Sequence, residues 1–567
     1  MGGVPGPATV FIGTRRRPGS DGREAAVASR TVVAASFAIA LLSALPAFPD
    51  EGAGAAPESA PGGAAVGEIR ILRENIFDLE DPGEDNWLFR LANRLHVRTR
   101  PRVIEHQLLF RPGDPYDPRL LAESERILRS NGYFYDARVR PGEARDGRVD
   151  VEVRTRDVWT LQPGISFERK GGRNSTGIDL KEKNLLGLGS SLSMAGKSTP
   201  DRRTETVTFE DDHLFGTWLR TSLLLANNSD GRARSFVLER PFHALDARWA
   251  GGGLYAENER IDTLVGAVTV AARFRTTTRN VRLSGGWSRG LVDGWALRLL
   301  LGGIRDESRF SAPAGEAVAA PVPADRVLVY LFAGLELVED DFETAKNRDQ
   351  IERTEDFHLG LRVRATVGHA FPEIGSDRHA TPFSASVAKG GRFGERWTVM
   401  GEAAADGRSE DGAARDTTLS AGTRVYAELS ERWLSFASFS GSRQVAPDGD
   451  RQLKLGGDSG LRGYPLRYQA GDRKFLVTVE QRYFSPWYLF RLFRVGGALF
   501  FDAGRAWGGT TGGLPDEGLL RDAGVGLRIG MTRSGLGNVV HVDVAFPLDG
   551  DPSIDRAQLL VVTKSSF

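Results

Sequence analysis

Gly457-Asp458-Ser459-Gly460 sets a serine between glycines and beside an acid, the local form of a serine-protease nucleophile loop. Such a serine needs a histidine base. No local signature surrounds any of the eight histidines, and the string continues as Leu461-Arg462-Gly463-Tyr464, which is no protease pattern. Asp211-Asp212-His213 offers carboxylates and an imidazole to a cation, yet as a lone tripeptide it fits a solvated loop better. No Gly-x-Ser-x-Gly elbow and no Walker loop occurs. The absence of cysteine excludes disulfides, thiolate-metal sites, a cysteine nucleophile and a lipoprotein-type anchor. The expectation is therefore a protein that is not an enzyme, with no catalytic residues, metal or cofactor.

Lys+Arg 74 against Asp+Glu 74 leaves no net charge across 567 residues, so no polyanion is implied and nucleic acid is not an expected partner. The basic residues are nearly all arginine, as a coding preference would produce. Residues 31–48 form the one long uncharged apolar run, preceded by Arg30. This pattern predicts a secretory signal peptide over 1–50, cleaved between Ala47 and Ala56. Arg15-Arg16-Arg17 lies too far from the apolar core for a twin-arginine signal. Nothing else is apolar enough for a membrane helix, so residence in a membrane would require a closed barrel.

An Ala/Gly/Pro linker (51–67) leads into a small α+β module expected over 68–156. Ile69 and Ile71 alternate with charged neighbours as a short strand. Asp85 is the expected cap of a helix carrying Leu88, Leu91 and Leu95, and Val103 to Phe110 fits helix or strand equally. A clearer helix follows: Asp117 caps it, Pro118 fills its first turn, Leu120, Leu121, Ser124, Ile127 and Leu128 share a face, and Asn131-Gly132 stops it. Two strands, Tyr133 to Val139 and Val149 to Arg154, are joined by an Asp146-Gly147 turn.

Beyond 157 the chain alternates apolar with small or polar residues, with turns every dozen residues or so. Leu499, Phe501 and Ala503 oppose Ala498, Phe500, Asp502 and Gly504. Val525, Leu527 and Ile529 oppose Gly526, Arg528 and Gly530; Val540, Val542 and Val544 oppose His541, Asp543 and Ala545. A soluble sandwich also alternates. The signal-like start, 68 glycines, and tryptophans near segment ends favour a membrane barrel over 157–567. Phe567 ends the chain with Thr563, Val561 and Leu559 on one face, the C-terminal barrel signal.

These motifs carry a resemblance. Gly457-Asp458-Ser459-Gly460-Leu461-Arg462-Gly463-Tyr464 followed by about five alternating segments resembles the BamA/TamA superfamily, or bacterial surface-antigen family, of outer-membrane proteins. The strand, helices and hairpin order, with Phe110-Arg111-Pro112-Gly113-Asp114-Pro115-Tyr116 and Leu128-Arg129-Ser130-Asn131-Gly132-Tyr133-Phe134, is similar to a POTRA domain; Asn75 to Thr99 reads as an insertion in it. Asn184 to Gly189 and Phe215-Gly216 look like the family's early barrel turns.

The resemblance implies an all-β transmembrane barrel of 16 antiparallel strands after the POTRA domain, although the raw count of alternating segments runs up to about twenty. It implies that the loop tip Leu461, Arg462, Gly463 and Tyr464 folds inward and that Arg462 meets lumen carboxylates. Asp502 and Glu480, on the lumen-facing parity of their strands, are the candidates. It further implies a bacterial outer-membrane location with a periplasmic POTRA domain, and a role in assembly: receiving client polypeptide and promoting its insertion into, or translocation across, the outer membrane. Expected partners are unfolded or partly folded outer-membrane or secreted polypeptides, outer-membrane lipid and periplasmic accessory proteins. A two-partner-type exporter of a dedicated secreted protein, or a porin-like or structural surface-antigen barrel, are the alternatives.

Overall fold

A computed structural model describes residues 63–265, 270–313, 322–448, 451–508, 518–534 and 539–564. The apolar run at 31–48 and Phe567 lie outside the described residues.

Strand β1 (Ala65–Glu74), helices α1 (Trp87–Leu95), α2 (Pro101–Glu105) and α3 (Pro118–Ser130), and strands β2 (Phe134–Arg145) and β3 (Arg148–Asp157) form the first unit. The sheet order is β1-β3-β2, with β1 parallel and β2 antiparallel to the central β3. The Asp117 side chain accepts the Arg119 N–H at 2.8 Å, with Pro118 in the first turn, so α3 starts where an orphan donor has a partner. Its face of Leu121, Ser124 and Leu128 is buried on Val139, Val151 and Val153. Asp146 and Gly147 take φ of 47° and 71°, the left-handed pair that a two-residue hairpin requires. Helix α1 is capped by Asn86, not Asp85: Asn86 accepts the Phe89 N–H at 3.0 Å, while Asp85 instead holds Arg90 through two 2.6 Å bonds. The ambiguous stretch after Val103 resolves as the short α2 and a turn.

The wall begins with β4 (Leu161–Lys170) and closes as an antiparallel barrel of 20 strands, not 16. The surplus segments are wall strands rather than long loops. Outward residues such as Leu301, Leu331 and Leu499 are exposed, whereas their inward neighbours Arg298, Phe332 and Phe500 are buried. This alternation is what a strand between lipid and a filled lumen demands. Among the described residues no helix is long and apolar enough to cross a membrane. The five strands after the Arg-Gly-Tyr loop are Arg473–Leu489, Phe493–Trp507, Leu520–Met531, Val539–Pro547 and Gln558–Lys564.

Two ribbons stand apart from the wall. One pairs Phe342–Lys346 with Thr354–His358 at the barrel end nearest the POTRA unit; the other pairs Leu453–Leu455 with Gln469–Gly471 at the far end.

Candidate functional site

The far-end ribbon frames a tight loop. Ser459 Oγ accepts the Gly456 N–H at 2.8 Å, and the Gly457 N–H donates to Pro465 O at 2.9 Å, so the serine is used to close the turn. Leu461 is buried on Leu455, Ala506 and Leu520. A Cβ at Gly463 would stand 2.7 Å from Asp522 Cβ and 3.0 Å from Pro547 N, a space only glycine can occupy without displacing backbone. The Tyr464 hydroxyl donates to Arg521 O at 2.7 Å and accepts the Asp549 N–H at 3.3 Å, fastening the loop to the strand Leu520–Met531 and to the turn after Val539–Pro547.

These restraints aim Arg462 into the lumen, where it is 6% exposed. Nε and Nη2 donate to the two Asp502 oxygens at 2.6 and 3.0 Å, and Nη1 donates to Glu480 Oε1 at 2.8 Å. Its guanidinium also lies over the Phe500 ring, 3.5 Å from the centroid. The structure thus brings Arg462, Asp502 and Glu480 together. A fork of N–H donors on a carboxylate matches in geometry as well as charge, which a buried guanidinium needs to offset its lost hydration.

Residues not singled out from sequence complete the cluster. Asp543 lies 3.6 Å from Arg462 Nη1 and pairs with Arg528; Asp522 faces Asp502 across the strand pair; Thr478 donates to Asp502 at 2.7 Å; Arg482 donates to Glu480 at 2.9 Å. Asp543 and Arg528 were already visible as charges on the lumen-facing parity, and a charge there calls for a partner.

From this cluster a polar path runs to the POTRA unit. Arg482 Nη1 donates to Arg348 O at 2.7 Å, and Arg348 belongs to the near-end ribbon turn. That turn enters the barrel mouth: Ile351 packs on Tyr426, Phe484 and Val539, and Tyr426 donates to Asp349 at 3.1 Å. Behind it, Arg129 of α3 grips Asp356 with bonds of 2.6 and 2.9 Å, Tyr135 donates to Glu352 O at 3.1 Å, and Arg353 donates to Phe134 O at 2.9 Å. Within the ribbon, burial together with the Asp349 carboxylate pushes Glu355 up to about 7.

The early turns also meet the POTRA unit. Asn184 Oδ1 accepts the Gly189 N–H at 2.7 Å and Nδ2 donates to Thr99 Oγ1 at 2.8 Å, while Thr99 N–H donates to Asp157 at 2.8 Å. The Phe215-Gly216 turn sits against the His106 ring. In Asp211-Asp212-His213, Asp211 accepts Ser190 Oγ–H at 2.6 Å and the His213 N–H at 2.8 Å, and Asp212 pairs with Arg220 at 3.0 Å.

The wall closes weakly where its ends meet. Among the described residues, β4 and Gln558–Lys564 share one registered pair, Arg169 with Val561, whereas β4 pairs along its whole length with Arg173–Glu182. In the POTRA sheet, β2 is the outer strand of the hairpin and β3 the inner. The outward N–H groups of β2 are largely taken: Ala137 N–H donates to Asp136 at 2.9 Å, Val139 N–H donates to Glu125 at 2.8 Å, and position 141 is proline.

Residues 96–156 match the POTRA family, described as the surface antigen variable number repeat. No curated protein matches the chain. Among solved structures the chain is similar to BamA from Haemophilus ducreyi lacking POTRA domains 1-3, at 12% identity and a TM-score of 0.36 over 88% of this chain and 85% of that one. It is also similar to CdiB from Escherichia coli, at 14% identity and 0.44 over 88% and 76%, and to CdiB from Acinetobacter baumannii, at 10% identity and 0.41 over 96% and 100%. The POTRA match and the closed wall together make this chain a BamA/TamA-type POTRA-plus-β-barrel protein, with a wall of 20 strands in place of 16.

Proposed function

We propose that the protein is a non-enzymatic outer-membrane factor that receives partly folded polypeptide on its periplasmic POTRA side and promotes its insertion into, or passage across, the outer membrane. The observation that carries this reading is the seam between β4 and Gln558–Lys564, joined at one registered pair among the described residues. Strand edges with unpaired backbone groups are templates for another strand, and a client strand gains hydrogen bonds and lipid burial there without any nucleotide. The two ribbons support insertion at the wall over a standing pore, because one occupies the POTRA-end mouth and the other is pinned in the lumen by Arg462.

Depletion of the protein followed by comparison of the outer-membrane and secreted proteomes tests the reading. Loss of several barrel proteins is the expected result. Loss of one secreted protein alone would establish a dedicated exporter instead, and an unchanged proteome with steady conductance in planar bilayers would establish a pore.

A further inference from the structure

The insertion before the matched POTRA residues builds a helix whose exposed face is apolar. In α1, Trp87, Leu91, Leu95 and Leu88 fall within a ~100° arc, and they are 75, 42, 63 and 50% exposed. The opposite side is fixed: Phe89 is buried and stacks on Phe77 with centroids 3.8 Å apart, and Asn93 Nδ2 donates to Phe77 O at 2.8 Å. The helix is therefore held rigidly with four large apolar side chains directed away from its own core.

Its position gives the face an occupant. Leu88, Leu91 and Leu95 line one side of a groove of about 400 Å³ whose other side is Leu492, Phe493 and Met531. The half-buried Phe493 shares the strand parity of the exposed Leu499 and Phe501, and the half-buried Met531 that of the exposed Val525 and Leu527, on the outside of the wall. The apolar face of α1 thus continues the outer surface of the barrel at its POTRA-end rim. Trp487, Leu489 and Phe490, also exposed, extend the same rim. Over residues 85–100 the chain carries Asp85 against Arg90, Arg94, Arg98 and Arg100; Arg94 borders the Trp87 edge of the apolar arc, and Arg90 beyond it is held by Asp85. An apolar arc with Trp87 and Arg94 together along one edge matches the boundary between acyl chains and anionic headgroups.

We propose that α1 is an interfacial anchor that lies in the periplasmic leaflet of the outer membrane beside strands Arg473–Leu489, Phe493–Trp507 and Leu520–Met531, and that it takes anionic phospholipid. This rests on the outer-membrane reading of the barrel. An anchor at this place fixes the POTRA unit laterally against one sector of the wall, the sector that carries the Arg462 cluster.

The absence of native cysteine makes single-site labelling clean. The full chain is reconstituted in vesicles of phosphatidylethanolamine and phosphatidylglycerol, with an environment-sensitive fluorophore on Leu91→Cys, on Leu499→Cys in the wall, or on Arg138→Cys in the POTRA sheet. Quenching by spin-labelled phospholipid should be strong at 91 and 499 and weak at 138, and adding Leu88→Glu and Leu95→Glu should abolish it at 91 while 499 stays quenched. Strong quenching at 499 with 91 no better quenched than 138 overturns the anchor. Absence of quenching at 499 overturns the membrane reading itself. A label at 91 that is shielded only as protein concentration rises would assign the groove to a second copy and so overturn the lipid assignment.

Discussion

Replacing Arg462 by alanine removes one cation from a site where Asp502 is 0% and Glu480 5% exposed. Glu480 keeps Arg482, but Asp502 is left with the Thr478 hydroxyl and with Asp522 directly opposite. Breaking a buried pair in this way costs about 3–5 kcal/mol, because the surviving carboxylate stays dehydrated. The stacking on Phe500 adds to the same loss, about 2 kcal/mol where desolvated. The loop is the cheapest element to yield, so the broken pair alone should make its undocking roughly a hundredfold to several-thousandfold more frequent. Protease digestion of the folded protein reads this directly, as does amide exchange at Leu461 and Tyr464. Arg467→Ala is the control: that side chain is about one-third exposed and pairs with Asp201 and Asp458 at the surface, so its loss should cost no more than about 1 kcal/mol. Arg462→Ala with Asp502→Asn should recover part of the protection. Equal digestion rates for wild type, Arg462→Ala and Arg467→Ala would refute the buried-pair reasoning.

Three further outcomes follow from the POTRA side. Glu355 is held neutral by burial to well above the ordinary carboxylate range, so its contribution to the near-end ribbon is complete at low pH and is lost as pH rises through about 7. Amide-exchange protection of Arg348 and Asp349, corrected for intrinsic rates, should fall across that window, and Glu355→Gln should flatten the dependence. Arg129→Ala frees Asp356 and should widen the distance distribution between spin labels on the POTRA unit and the wall; an unchanged distribution means the contact does not position the unit. Glu125→Ala uncovers the Val139 N–H and should tighten binding of an extended client peptide if clients add along β2; no change would remove β2 as the capture edge.

The loop cluster was legible because a period-two wall assigns every charge to lipid or lumen, and Asp502 and Glu480 could be placed on the lumen side by parity alone. The POTRA hairpin was legible for a similar local reason, since Asp146-Gly147 leaves the backbone little other choice. The strand total was legible only in part: the alternating segments run up to about twenty, as found, but the resemblance implied 16, and a short alternating stretch such as Phe342–Lys346 looks like wall whether it joins the barrel or enters its mouth. Register is likewise unwritten, so neither the seam at Arg169 and Val561 nor the direction of the β2 donors could be read. The N–H of Arg138 points to β3 because its neighbours Ala137 and Val139 point outward, and a proline at 138 would break the sheet rather than block its edge.

The seam is the centre of the functional account, and tethering it is the most direct measurement. Arg169→Cys with Val561→Cys places two thiols across the one registered pair among the described residues, in a chain that has no other cysteine. Oxidation should halt insertion of a client barrel protein into vesicles by the reconstituted protein, and reduction should restore it to the rate of the untethered variant. Full insertion activity with the disulfide quantitatively formed would contradict lateral opening between the first and last strands.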